Sequence, residues 1–188
     1  RLYPDGSNEY LLETDSDIAY VWIDSVTDRT SSELREALTE LLSEGMKGLI
    51  LDLRDNPGGS LGDAALVCDL FVTDGDIVTT RYRNGTIKTQ FTAIEEGTFP
   101  EFPVAVLIDD MSASAAEIIA ACLQDHERAV IIGERSFGKG TVQELIYLQD
   151  DLGLLKLTTA GYWRPSGRNI HRGLKAKETD EWGVTPDE

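Results

Sequence analysis

Two segments of the chain carry residues whose types and placement could together perform nucleophilic chemistry. Ser114 lies among small residues at the start of a predicted helix, and Lys139 lies between two glycines in a later loop. A serine hydroxyl becomes a nucleophile when a base takes its proton, and a neutral lysine can replace histidine as that base. A helix start also offers free N–H groups and a positive dipole end, which stabilise an oxyanion. The pattern therefore indicates acyl-transfer chemistry by a serine–lysine pair.

Each of these features also has an ordinary structural explanation. Serine is among the preferred N-cap residues, and a lysine between glycines is typical of a solvated loop. Three observations together favour chemistry. The small residues at 112–116 let a substrate backbone approach, the helix aims its free N–H groups at Ser114, and the glycines beside Lys139 let the loop fold inward. Phe137 is expected to cover Lys139 with apolar surface and so favour the neutral amine.

The two histidines are weaker candidates for the base. His126 follows the predicted helix in the polar sequence Asp125-His126-Glu127-Arg128, and His171 belongs to a polar tail segment. Neither is predicted to be buried beside an orienting carboxylate, which a catalytic histidine needs. Lys139 is therefore the predicted base.

A second loop could complete such a site. The sequence Asp55-Asn56-Pro57-Gly58-Gly59 follows a short apolar run that is typical of a buried parallel strand. The residues form turns readily, so a simple strand-to-helix connection would explain them. Alternatively, the glycines admit a substrate carbonyl and their N–H groups point at it. We predict one oxyanion donor from Gly58 or Gly59 and a second from the N–H of Ala115.

Hydrophobic periodicity predicts the elements that must position these loops, and it indicates an α/β fold. Thr30-Ser31-Ser32-Glu33 matches a capping box at the start of the first helix. Asn84-Gly85 predicts a tight hairpin turn. The predicted strands are 18–23, 48–54, 104–108 and 129–132, the predicted helices are 30–45, 61–72 and 115–125, and the two predicted hairpins span 77–92 and 144–162.

Composition narrows the classes of partner and cofactor. The net charge of −17 argues against nucleic acid, because phosphate binding needs clustered lysine and arginine. Asp109 and Asp110 end a strand without a histidine or cysteine cluster nearby, so no metal site is predicted there. Cys68 and Cys122 lie on apolar helix faces and are expected to be buried free thiols, although the sequence leaves a disulfide open.

The segment SASAAEIIAACLQDHERAVIIGERSFGKGTVQ resembles the active-site segment of the carboxyl-terminal processing peptidases, or tail-specific proteases, of peptidase family S41. The usual pattern of that family is SASASE, then QD, RAV.GE and FGKG.VQ. LDLRDNPGG, PSG and GVTPD are similar to further motifs of the family, and the likeness covers residues 18 to 186. Ala116 departs from the pattern, which commonly has a third serine there.

The resemblance implies Ser114 as the nucleophile, Lys139 as the base and Gln143 as the residue that orients it. It places the oxyanion hole at Gly58, Gly59 and Ala115. It refines the fold to a crotonase/Clp-like ββα spiral core over residues 18–188, preceded by a polar arm or linker at 1–17.

The implied activity is that of a serine endopeptidase cleaving protein C-terminal tails or unfolded polypeptides, without cofactor or metal. The resemblance further implies an exported protein of the periplasm, cell envelope or exterior. It also implies a PDZ domain in a longer parent chain and leaves oligomer formation open.

Two other functions fit the same fold. A non-catalytic binding module, like the retinoid-binding repeats of the eye matrix, would have no need to keep Ser114, Lys139 and Gln143. A crotonase-type acyl-CoA enzyme would need a basic patch for the CoA phosphates, which the sequence lacks, and it gives Lys139 no role.

Overall fold

The chain folds into two β-sheets and three helices, and the computed structural model describes residues 11–12, 15–148 and 153–188. The strands of the first sheet are β1 Leu11–Leu12, β2 Asp15–Trp22, β3 Gly48–Asp52, β6 Val104–Ile108 and β7 Val130–Gly133. The strands of the second are β4 Asp76–Tyr82, β5 Ile87–Thr92, β8 Thr141–Tyr147 and β9 Leu154–Trp163. The helices are α1 Thr30–Ser43, α2 Leu61–Asp69 and α3 Ala115–Asp125.

The first sheet has the order β1-β2-β3-β6-β7, and its strands are parallel except for β1. The sequences GLILD of β3 and VAVLI of β6 are almost wholly apolar because these central strands are largely covered. The loops that follow β3 and β6 meet at the carboxyl edge of the sheet. Ligands commonly bind at this edge in α/β folds.

The second sheet is antiparallel and has the order β5-β4-β9-β8. The Asn84-Gly85 turn joins β4 to β5, as predicted. The second predicted hairpin is also present, since β8 pairs with β9 along its length, although its turn at 149–152 lies outside the described residues. Alternation along β9 buries Ala160 and Tyr162 in the molecule.

Helix α3 lies at the centre of the core. Every residue from Ala115 to Leu123 is buried, so this helix is covered on all sides and not along one stripe alone. Cys68 of α2 and Cys122 of α3 are buried free thiols, as predicted. The α/β expectation is thus confirmed by two sheets packed around buried helices.

Two local expectations need correction. The capping box at Thr30-Ser31-Ser32-Glu33 is wrong, because Arg29 is the N-cap and makes no side-chain cap. The N–H of Ser31 is instead satisfied by the Asp63 carboxylate of α2, at 2.8 Å. In the predicted arm, Leu11–Leu12 and Asp15–Asp17 belong to the first sheet, whereas residues 1–10 and 13–14 lie outside the described part.

None of the described helices is long and apolar enough to cross a membrane.

Candidate active site

Ser114 stands at the point where the loop after β6 turns into α3. It occupies the N-cap position and is buried, with φ 58° and ψ −112°. Such a conformation is rare for a residue with a side chain and costs on the order of 1–3 kcal/mol. Residues with strained backbones cluster at functional sites, where the surrounding structure holds them in place. The contacts around Ser114 hold it in this way.

Glu117, in the first turn of α3, links the Ser114 turn to the Lys139 loop through a fully buried carboxylate. Its Oε2 accepts hydrogen bonds from the N–H groups of Ser114 and Lys139, both at 2.8 Å. Its Oε1 accepts from the hydroxyl of Ser136 at 2.6 Å and the N–H of Gly138 at 2.7 Å. The backbones of the predicted nucleophile and base are therefore held by one oxygen atom.

Burial raises the pKa of Glu117, and the four hydrogen bonds oppose that shift. Sequence reasoning missed this residue, although a signal was present. Ser114-Ala115-Ala116-Glu117 has the spacing of a capping box, and the structure forms it here.

The structure fixes the backbone of Lys139 but does not join its side chain to Ser114. Within the described part of the chain, Lys139 Nζ forms no hydrogen bond or ion pair, and the side chain is exposed. The expected apolar cover is absent, because Phe137 is itself 51% exposed. The N–H of Phe137 donates to Ser112 O at 3.0 Å, which fixes the loop with this ring turned to solvent.

Gln143 lies on β8 opposite Thr158 and is exposed. No hydrogen bond between the side chains of Gln143 and Lys139 is present among the described residues. The contact by which Gln143 was predicted to orient Lys139 is therefore not formed in this structure.

Tyr162 of β9 reaches Ser114 from the second sheet. Burial raises the pKa of Tyr162, and the proximity of the Ser114 side chain acts against that shift. The Tyr162 N–H donates to Gly140 O at 2.9 Å, so the same residue also holds the loop beside Lys139. Sequence reasoning missed Tyr162, which appeared only as the last residue of the predicted hairpin at 144–162.

The glycine loop after β3 packs directly against the Ser114 turn. A Cβ on Gly58 would lie 2.6 Å from Ala113 O and 2.8 Å from Ala115 N, so only glycine fits. Asn56 holds the loop in place by donating to Ile23 O and by accepting the Gly58 N–H, both at 2.8 Å. Because the Gly58 N–H already has this partner, Gly59 and Ala115 remain the better candidates for oxyanion donors.

The remaining polar groups near these loops have structural roles. Asp109 accepts hydrogen bonds from the N–H groups of Asp55, Met111 and Ser112, and so joins the loop after β3 to the loop after β6. His126 is half-buried, with Nε2 2.7 Å from Asp76 O and no orienting carboxylate bonded to its ring among the described residues. His171 is exposed. Among the described residues, no group of three histidine, cysteine, aspartate or glutamate side chains could hold a metal ion.

The chain is similar in sequence to known peptidases. The model of peptidase family S41 matches residues 17–188. A carboxy-terminal-processing protease of Bartonella bacilliformis is 44% identical over 177 residues, covering 92% of this chain and 38% of that protein. The carboxy-terminal processing protease CtpA of Bacillus subtilis is 40% identical over 163 residues, covering 86% of this chain and 34% of that protein.

The structural comparison agrees with the sequence comparison. A solved structure described as the photosystem II D1 C-terminal processing protease superposes with a TM-score of 0.81 at 32% identity. The match covers 94% of this chain and 44% of that one. The chain thus spans less than two fifths of the length of these curated relatives.

Proposed function

The chain belongs to peptidase family S41, and we propose that it is the catalytic core of a serine endopeptidase that uses Ser114 and Lys139. The observation that carries the proposal is the Glu117 carboxylate, whose Oε2 binds the N–H groups of both residues. A shared buried acceptor of this kind fixes two backbones relative to each other without any need for a bound ligand.

In the proposed reaction, the side chain of Lys139 turns inward, neutral, and takes the hydroxyl proton of Ser114. The serine oxygen attacks a peptide carbonyl, and the resulting oxyanion lies between the α3 N-terminus and the glycine loop. The lysine ammonium then protonates the leaving amine, and water hydrolyses the acyl-enzyme. Gln143 is proposed to orient Lys139 in this inward position.

The proposed substrates are polypeptides, as C-terminal tails or unfolded chains. The names of the relatives support this choice, because all three describe processing of a protein carboxyl terminus. We also propose export to the cell envelope or exterior.

For the longer parent chain we propose a PDZ domain. The β8–β9 hairpin exposes large apolar side chains, which supports the presence of a further domain that covers them. These side chains are Leu145, Tyr147, Leu154 and Leu157.

Cleavage of unfolded casein tests the proposal directly. The purified chain is expected to produce new amino termini, Ser114→Ala is expected to produce none, and Ser32→Ala, at an exposed serine of α1, is expected to match the parent. Activity that survives in Ser114→Ala would refute the assignment.

A non-catalytic binding module is the second candidate, and the outward side chain of Lys139 favours it. If the chain is such a module, the unmodified chain leaves casein uncleaved. It also binds casein as tightly as Ser114→Ala does.

A further inference from the structure

A cavity of about 650 Å³ opens on the second sheet between β4, β9 and the tail of the chain. It is lined by Arg81 and Arg83 of β4 and its turn, by Arg168 after β9, and by the ring of Trp163. We call this cavity the arginine pocket. Its accumulation of positive charge contrasts with the net charge of −17 of the whole chain.

Arg81 is poised to bind an anion. Its Nε is buried and has no hydrogen-bond partner among the described residues. Its guanidinium lies over the Trp163 ring, 5.4 Å from the centroid. Stacking of this kind holds the planar group while leaving its N–H donors available at the edge, and that fork matches a carboxylate.

The other charges of the arginine pocket are weakly engaged. Arg168 Nη1 lies 3.9 Å from Glu181 Oε1, but both side chains are largely exposed, at 51% and 78%. An exposed pair at this distance is screened by water and holds neither partner firmly. Arg83 is exposed as well. Glu181 is the one carboxylate among the described residues that line the pocket, so an incoming anion meets a surplus of positive charge.

The arginine pocket lies next to the loop of the predicted base. Gly140, which follows Lys139 directly, forms part of its lining, as does Gly161 of β9. We propose that the arginine pocket binds a carboxylate carried by the polypeptide substrate, either an acidic side chain or the chain terminus. The inference rests on the proposed function for its ligand class, whereas the binding itself can be measured without catalysis.

Fluorescence titration of the full chain tests the proposal, because Trp163 lies in the arginine pocket. The titrations use Ser114→Ala to prevent cleavage and three otherwise identical alanine-rich peptides. One carries an internal glutamate and an amidated end, one a glutamine and a free terminal carboxylate, and one a glutamine and an amidated end. We expect at least one acidic peptide to bind about tenfold more tightly than the neutral peptide. The tighter of the two acidic peptides identifies the source of the carboxylate.

Arg81→Gln and Arg168→Gln are each expected to remove most of that preference, whereas Arg29→Gln, at the exposed N-cap of α1, is expected to keep it. Circular dichroism confirms that each variant is folded, and two pocket variants guard against a folding defect in one. Equal binding of all three peptides would overturn the proposal, as would a preference that both pocket variants retain. Casein cleavage without any acidic preference refutes only the arginine pocket, whereas acidic binding without cleavage refutes only the peptidase.

Discussion

At the scale of single residues, Glu117 does more to assemble the candidate site than either residue that would do chemistry. Four donors converge on its buried carboxylate, one from the Ser114 turn and three from the Lys139 loop, so this one side chain holds the backbone of both loops. Residue patterns alone indicated Ser114 and Lys139 because their chemistry is visible in a sequence. They could not indicate Tyr162, whose hydroxyl meets Ser114 only after two distant sheets pack together.

Replacing Glu117 by glutamine keeps the size of the side chain but leaves one acceptor oxygen for four donors. We expect the free energy of unfolding to fall by about 3 kcal/mol, because buried N–H groups lose charged partners. The activation free energy of casein cleavage is expected to rise by at least the same amount. Urea unfolding and the casein assay measure the two effects. Glu33→Gln, at an exposed carboxylate of α1, is the matched control and should change stability by less than about 0.5 kcal/mol. A fully active Glu117→Gln would contradict the linking role.

Tyr162→Phe removes only the hydroxyl that contacts Ser114. A polar contact of about 1 kcal/mol corresponds to a roughly fivefold slower cleavage of casein, with the fold retained. The comparison variant is Tyr147→Phe, since Tyr147 is 82% exposed on β8 and should have no effect. If both tyrosine variants cleave casein at the parent rate, the contact with Ser114 has no bearing on the reaction.

At the scale of elements, the site is built where the loops after β3 and β6 touch. Sequence periodicity located most of these elements, because buried strands and helices have distinctive apolar patterns. It misplaced the capping box, because Thr30-Ser31-Ser32-Glu33 and Ser114-Ala115-Ala116-Glu117 have the same local pattern. A tertiary contact made the difference at α1, where the Asp63 carboxylate of α2 satisfies the N–H of Ser31, whereas Glu117 makes its local bond to the N–H of Ser114 at the start of α3.

Gly58→Ala tests the contact between these two loops. The added methyl group would lie 2.6 Å from Ala113 O, and the φ of 95° is itself unfavourable for alanine. We expect a loss of at least about 2 kcal/mol of stability together with loss of cleavage. Thermal unfolding and the casein assay report both. Gly62→Ala is the control, because nothing lies within 4 Å of that position in α2, and alanine there should be neutral or stabilising by up to about 1 kcal/mol.

The far end of α3 is held by a buried ion pair. Arg164 donates to both carboxylate oxygens of Asp125, at 2.8 and 2.6 Å, and these side chains are 5% and 8% exposed. Burial acts to raise the pKa of Asp125, but the hydrogen bonds from Arg164 and from the N–H of Ser166 hold it below its ordinary value. The folded state therefore binds this proton more weakly than the unfolded state does.

It follows that Asp125 stabilises the fold above its ordinary pKa of about 4 and that this contribution is lost as the pH falls through the lowered value. We expect Asp125→Asn to cost about 3 kcal/mol at pH 7, because Arg164 is left buried without its counter-charge. The variant should also lose less stability than the parent between pH 5 and the acid limit of folding. Urea unfolding across that range measures both, with Asp28→Asn, at an exposed carboxylate, as the control. If the free energies of unfolding of the unmodified chain and of Asp125→Asn changed with pH in the same way, the stabilising role of the Asp125–Arg164 ion pair would be contradicted.

At the scale of the whole molecule, the sequence was sufficient for the fold class and the family, because family motifs run through nearly the entire chain. It was not sufficient for the state of the site. Whether Lys139 faces Ser114 or solvent depends on a side-chain rotation, and no residue pattern records it. The stacking of Arg81 on the Trp163 ring is likewise a consequence of the pairing of β4 with β9.

Casein cleavage by the unmodified chain, Ser114→Ala, Lys139→Ala and the double variant tests whether Ser114 and Lys139 act together as nucleophile and base. Two residues that act as one unit give losses that do not multiply. We therefore expect each single variant to be as inactive as the double variant. This expectation would be contradicted by a Lys139→Ala variant that cleaves at the rate of the unmodified chain, or by losses that multiply in the double variant.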